Sequence, residues 1–185
     1  MTIMYSKEDI LFQALKVNPN RVERWCKKVR EDVLAKIRRM PSGTMTMEQL
    51  RRTWYGERGR SELSHSHYDS TRYYALNLHA VFDKGTIEWR CFNSTLHAGK
   101  VRANITLALA ISAQAINQKC THAKKTPIGD NPAFTFRTFL LRLGLIGPEY
   151  KNVREHLLAN LEGDRAWRYD RSTYACNQRR EGEVR

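Results

Sequence analysis

Two residues of the segment TIEWR, Glu88 and Arg90, place an acid and a guanidinium two positions apart. If the segment is a strand, its side chains alternate between faces, and these two stand side by side on one of them. The plainest product of that arrangement is a cross-strand ion pair on a partly exposed sheet, worth about 0.2–1 kcal/mol. His65 and His67, close to Asp69, have the residue types of a transition-metal site or of the acid and base of a metal-free nuclease. No cysteine or further histidine stands beside them, which favours a polar loop. Positive charge is the third feature: Arg21, Arg24, Lys27, Lys28, Arg30, Lys36, Arg38 and Arg39 share one segment, and Arg165 and Arg168 flank Trp167 near the end of the chain. Arginine and lysine neutralise phosphates, and rings such as Trp167 and Tyr169 stack on bases. The long basic segment is the better polyanion surface, because a tryptophan is costly to expose and Trp167 has reason to dock on the helices.

The whole chain leans the same way. It has 185 residues, which suits one globular core and is short for two ordinary domains. With 32 Lys plus Arg against 19 Asp plus Glu, its formal charge is +13, a field that attracts nucleic acid, a nucleoprotein or an acidic protein surface. Cys26, Cys91, Cys120 and Cys176 form no CxxC pair, so they read as reduced thiols rather than a zinc knuckle or a disulfide scaffold. The start, MTIMYSKEDILFQAL, lacks the basic and apolar regions of a signal peptide, and the apolar stretch around Ile105–Ile116 is broken by Thr106, Ser112 and Gln114. The expectation is a soluble protein of the cytoplasm.

The elements that must position these residues follow from periodicity. Ser6 is placed to cap a helix through Val17, and Asn18 followed by Pro19 restarts the chain. From Asn20 to Met40, Val22, Trp25, Val29, Val33, Leu34 and Ile37 recur at helical spacing, which predicts one long helix with a basic outer ridge. Thr46 and Gln49 make a capping box for a short helix to Tyr55. Residues 57–71 have no hydrophobic period and read as a loop. Tyr74, Leu76, Leu78 and Ala80 alternate with polar or small residues, Asp83–Lys84–Gly85 supplies a turn, and Ile87, Trp89 and Cys91 alternate again, a hairpin over 73–93. His79 and His97 flank it as core-edge residues. A helix follows from Gly99 to Gln118 with Val101, Ile105, Ala108, Leu109, Ser112, Ala115 and Ile116 on its inner side. Asn131–Pro132 and Gly147–Pro148 open two more, closed by Gly144 and Gly163. The predicted fold is α+β: a small antiparallel sheet around a central hairpin, covered by the helix after Gly99 and packed with helices from both ends of the chain. Its parts are a basic helical region (1–56), the loop (57–71), the hairpin with its helices (72–163) and a basic aromatic tail (164–185).

RYYALNLHAVF followed by GTIEWRCFNSTLHAGKVRANI resembles the C-terminal part of the amidoligases, carboxylate–amine ligases related to glutamine synthetase. WCKKV, WYG, HYDSTRY and FLLRLGLIGPEYKNVREHLLANLEGDRAWR resemble further segments of those proteins. The resemblance implies that Glu88 is a metal ligand and Arg90 a clamp on a substrate carboxylate or acyl phosphate, with Arg72 and Asn77 as further polar contributors. It implies ATP and magnesium as cofactors, for which carboxylate oxygens and a guanidinium fork are suited. The chain departs from the family in lacking the strand with two carboxylates, a phrase like FGVEIE, and the glycine–histidine segment that follows it. Without that half the expectation shifts from ligation to binding, with no cofactor. Proteins of this resemblance are similar to cargo of phages and other mobile elements. The most specific expectation is therefore an anti-CRISPR inhibitor acting in a bacterial host cell on a guide-RNA effector ribonucleoprotein. The alternatives are an amidoligase completed by a partner or dimer, and a nuclease using the His65/His67 loop.

Overall fold

A computed structural model describes residues 1–41, 43–56 and 68–169. The chain is α+β: the described residues form eight α-helices and one two-stranded antiparallel sheet. In chain order they are α1 (Thr2–Ala14), α2 (Pro19–Arg24), α3 (Glu31–Arg39), α4 (Met47–Tyr55), β1 (Leu76–Asn77), α5 (His79–Lys84), β2 (Glu88–Trp89), α6 (Ala98–Asn117), α7 (Pro132–Arg142) and α8 (Lys151–Leu158). Among the described residues no helix is long and apolar enough to cross a membrane.

The chain divides into two compact units. The first takes in Met1–Glu8, Val17–Asn93 and Cys120–Lys125, and the second Asp9–Lys16, Ser94–Lys119 and the chain from Thr126 onward.

The helix starts of the first unit show how local chemistry sets the elements. The Asn18 side chain accepts from Asn20 N–H at 2.9 Å and Pro19 occupies the first helical turn, so α2 begins where its backbone donors have partners. Thr46 Oγ1 accepts from Gln49 N–H at 3.2 Å while the Gln49 side chain accepts from Thr46 N–H at 2.8 Å, the reciprocal box that opens α4. Ser6 is no cap: α1 begins at Thr2, and the Ser6 hydroxyl donates back to Ile3 O.

The long basic helix is divided. α2 stops at Arg24, Trp25 and Cys26 turn the chain out of the helix with their N–H groups on Arg21 O, and the chain is extended at Lys27, where it pairs with the segment before β1: Lys27 N–H donates to Tyr73 O and Ala75 N–H donates to Lys27 O, both at 2.8 Å. Those two long-range bonds replace the helical ladder over this stretch, and α3 then starts at Glu31. The hairpin is also shorter than its alternation suggests. β1 and β2 pair in the expected antiparallel sense, Leu76 opposite Trp89 and Asn77 opposite Glu88. The chain between them is helix α5, closed by Gly85 at φ 68°, a conformation natural to glycine. Cys26, Val33, Trp54, Ala75 and Cys91 are buried in this unit's core.

In the second unit α6 packs on α8, and α8 also packs on α7. Ala103, Leu107 and Ile111 of α6, Phe136 and Leu140 of α7, and Val153 and Leu157 of α8 are among its buried residues. The expected inner face of α6 is thus the wrong one: Val101, Ile105, Leu109 and Ile116 are exposed. Both faces are apolar at helical spacing, so periodicity alone has no means of choosing between them.

Candidate functional site

The short sheet of the first unit brings together residues from four parts of the chain. Register puts Asn77 opposite Glu88, and Asn77 Nδ2 donates to Glu88 Oε2 at 2.6 Å. Two residues along the same strand direction, Arg90 Nη1 donates to Glu88 Oε1 at 2.8 Å. The ion pair therefore joins neighbours along one chain segment, and the cross-strand contact is the amide of Asn77. Asn77 is itself buried, its Oδ1 accepting from His79 N–H at 2.8 Å, so its side chain is fixed from both ends. Arg90 N–H donates to Ala75 O and its Nε to Trp25 O at 3.1 Å. Around this core stand rings: the Arg90 guanidinium lies 5.4 Å from the Tyr73 centroid, that of Arg72 5.8 Å from the same ring, and Trp25 meets Tyr73 edge-on at 4.8 Å. Trp25 is 47% exposed and the Glu88 side chain 42% exposed, so the cluster opens to solvent.

Arg21 holds this arrangement from behind. Its guanidinium donates to Arg90 O at 2.9 Å, Phe92 O at 3.2 Å and Asn93 Oδ1 at 2.6 Å, which ties α2 to the chain leaving β2. In sequence it stands among the basic ridge residues, and nothing about its own neighbourhood distinguishes it from Arg24. The distinction comes only from residues about seventy positions away.

Arg24, Lys27, Lys28, Arg38 and Arg39 are exposed, distributed over α2, the extended segment and α3 rather than on one helix face. Arg165 and Arg168 are exposed in the second unit beside Trp167, itself 44% exposed; Arg168 stacks on Tyr169 at 5.4 Å. Trp167 is tied through its backbone, its O accepting from Asn131 Nδ2 at 2.7 Å and its N–H donating to Asp164 at 3.1 Å. His65 and His67 lie outside the described residues. Asp69 caps the short turn Ser70–Arg72, accepting from Thr71 N–H at 2.8 Å.

His79 is buried, with Nδ1 2.6 Å from the Tyr55 hydroxyl. Burial, aided by the charge of Asp69, pushes the Tyr55 phenol well above its ordinary range, so Tyr55 stays a neutral hydroxyl. His97 is exposed and accepts from Lys100 N–H at the start of α6. Burial pushes the Cys91 thiol up to about 12 and raises that of Cys26, so neither is a nucleophile near neutral pH.

The donor set decides how well ATP and magnesium fit. Magnesium is held by hard oxygens in near-octahedral array, commonly carboxylates together with substrate phosphates. Glu88 offers one carboxylate, and both its oxygens already accept from Arg90 and Asn77. Among the described residues no group of three His, Cys, Asp or Glu side chains is placed to hold a metal ion. The residues do not fit a metal bed: the one carboxylate of this cluster is already held by a guanidinium and an amide.

Neither a curated protein nor a solved structure matches the chain. The family model described as "Putative amidoligase enzyme" matches residues 1–112, which contain β1, β2, Asn77, Glu88 and Arg90, and end within α6. The segment from Phe139 to Arg168, expected from its sequence to resemble the same proteins, lies beyond the matched residues. With well over half its length under that model, the chain belongs to the amidoligase family.

Proposed function

We propose that this amidoligase-family protein works by binding, and that its partner is a nucleic acid or a ribonucleoprotein. The observation that carries the reading is the exposed cationic surface of the first unit, where Arg24, Lys27, Lys28, Arg38 and Arg39 accompany the exposed ring of Trp25 in a chain of net charge +13. Such side chains neutralise phosphates, and an exposed ring gives a base a surface to stack on. Glu88, the residue that ligation would need free, is engaged by Arg90 and Asn77. The most specific form of the proposal is an anti-CRISPR inhibitor from a phage or mobile element that acts in the bacterial cytoplasm and occupies the nucleic-acid path of a guide-RNA effector complex.

A gel-shift series with duplex DNA, structured RNA and a guide-RNA effector complex tests it. Binding should weaken steeply with salt, by about 0.9 in log–log slope for each phosphate neutralised on duplex DNA. Replacing Arg24, Lys27, Lys28, Arg38 and Arg39 together with Gln should lower that slope by up to about 4.5, one phosphate for each. Intact nucleic acid on denaturing gels excludes the His65/His67 nuclease, whereas shortening over time would replace binding with cleavage. Absence of any shift removes the proposal.

The second reading, ATP- and magnesium-dependent ligation completed by a partner or dimer, draws on the family membership and on Arg90 beside an accessible Glu88. It requires nucleotide turnover that Glu88→Gln and Arg90→Ala abolish, while the binder is indifferent to both substitutions.

A further inference from the structure

α6 carries two apolar stripes, and only one is used within its unit. Ala103, Leu107 and Ile111 are buried, and α6 packs on α8. Val101, Ile105, Leu109 and Ile116 are 40, 55, 65 and 83% exposed. At 100° per residue these four and Ser112 fall within about 80° of the helix circumference, a continuous seam rather than scattered surface residues. From Val101 to Ile116 it runs about 22 Å, at 1.5 Å per residue. Ala108 and Ala115 border it on one side, small enough for another backbone to come close. Charge is equally one-sided: α6 has no acidic residue, Lys100 and Arg102 stand at the first end of the seam, and Lys119 follows the other.

We propose that this outer face of α6 docks an acidic amphipathic helix of a partner protein, apolar side chains along the seam and carboxylates toward Lys100, Arg102 and Lys119. Helices that lie in a groove are held by apolar anchors at i, i+3, i+4 and i+7 spacing, which the seam is built to receive. A second copy of this chain is the poorer occupant. In parallel pairing Lys100 and Arg102 meet themselves, and in antiparallel pairing they meet Lys119, so either arrangement sets like charges together at both ends of the contact. A lipid surface is poorer too: interfacial helices set a strongly charged face opposite the apolar one, whereas α6 has no aromatic residue and its other stripe, Ala103, Leu107 and Ile111, is apolar and buried. The inference concerns the second unit and does not depend on the nucleic-acid surface of the first.

The test uses the full-length chain and three labelled peptides of about four turns: a Leu seam flanked by Glu, the same seam flanked by Lys, and the acidic composition with its seam scrambled. Fluorescence polarisation should show the first binding at least about tenfold more tightly than either of the others. Ile105→Ser with Leu109→Ser should weaken the first peptide by about tenfold or more, with the melting temperature unchanged because both positions are exposed. Equal binding of the scrambled peptide would mean that net charge alone attracts it and would overturn the proposal, as would undiminished binding by the double variant. Light scattering that finds a dimer dissolved by the double variant would assign the seam to a second copy. Co-sedimentation with phosphatidylserine vesicles that the double variant abolishes would assign it to membrane. The Gln variants of the basic surface should leave peptide binding within about twofold, which separates this face from the nucleic-acid reading.

Discussion

Glu8 and Glu88 are both carboxylates of the first unit held by a cation and an N–H group, and they differ mainly in burial. Glu8, 1% exposed, accepts from Val29 N–H at 2.8 Å and from the Lys125 ammonium, which also lies 4.3 Å from the Tyr5 ring centroid. Glu88 accepts from Asn77 and Arg90 with 42% of its side chain exposed. A buried carboxylate must keep its partners, because no water replaces them. One at the surface can exchange them for solvent or a ligand at small cost. The same chemistry is thus a buried tie that cannot be given up in one place and a solvent-reached one that can be exchanged in the other.

The largest effect expected from this difference is at Glu8. Glu8→Ala strands the Val29 amide and removes the anion beside Lys125, at a cost of about 3 kcal/mol, the lower end for breaking a buried pair because Lys125 is one-third exposed. Urea midpoints measure it, and Glu8→Gln, which keeps an acceptor for Val29, should lose less. Asn77 comes next. It is 1% exposed with both ends of its amide bonded, so Asn77→Ala should cost about 1–3 kcal/mol and loosen Glu88 at the same time. Glu88→Ala itself should cost less than about 1 kcal/mol. Equal losses at Glu8 and Glu88 would break the comparison and show that the Glu88 cluster is also a stability device.

How much of this was legible in sequence depends on whether the deciding partner is near in the chain. The starts of α2 and α4 were legible because Asn18–Pro19 and Thr46–Gln49 cap their own helices. The antiparallel pairing around Glu88 was legible because its two segments are close and alternate. The break at residues 25–30 was not: Val22, Trp25, Val29 and Val33 keep the helical period, and the chain leaves it only because Lys27 pairs with Tyr73 and Ala75. α5 was missed for a related reason, since Tyr74–Ala80 alternates like a strand while Asn77 Oδ1 turns the chain by accepting from His79 N–H. At the site, Glu88 and Arg90 stand two residues apart on one segment and could be paired by spacing. Arg21 could not, because its acceptors at residues 90, 92 and 93 meet it only in the folded unit. Glu8 has nothing in its own neighbourhood that separates it from Asp9, and only tertiary structure brings Lys125 to it.

Asp32 extends the comparison to a carboxylate nearer still to water, and there the effect should be smallest and set by pH. Its side chain is 54% exposed in the first turn of α3. Hydrogen bonds from the Arg30 guanidinium, at 3.1 and 2.5 Å, hold its pKa below the usual aspartate range, with the charge of Arg30 acting in the same direction against partial desolvation. Arg30 is positioned for this by donating to Trp54 O at 2.8 Å as well. A folded value below the unfolded one means that Asp32 favours the folded state fully above the unfolded value of about 3.9, and that this contribution is lost as pH falls through the lowered folded value. Asp32→Asn should therefore cost about 0.5 kcal/mol at neutral pH, and the difference from the parent chain should close in acid. It should also shrink in high salt, which screens an exposed pair and leaves Glu8 largely untouched. Urea midpoints of the two proteins at neutral pH and about one unit below 3.9, each at low and high salt, measure both trends. A gap that stays constant with pH would mean that Asp32 acts through packing or as a neutral acceptor, and the gradient from Glu8 through Glu88 to Asp32 would then not be electrostatic in origin.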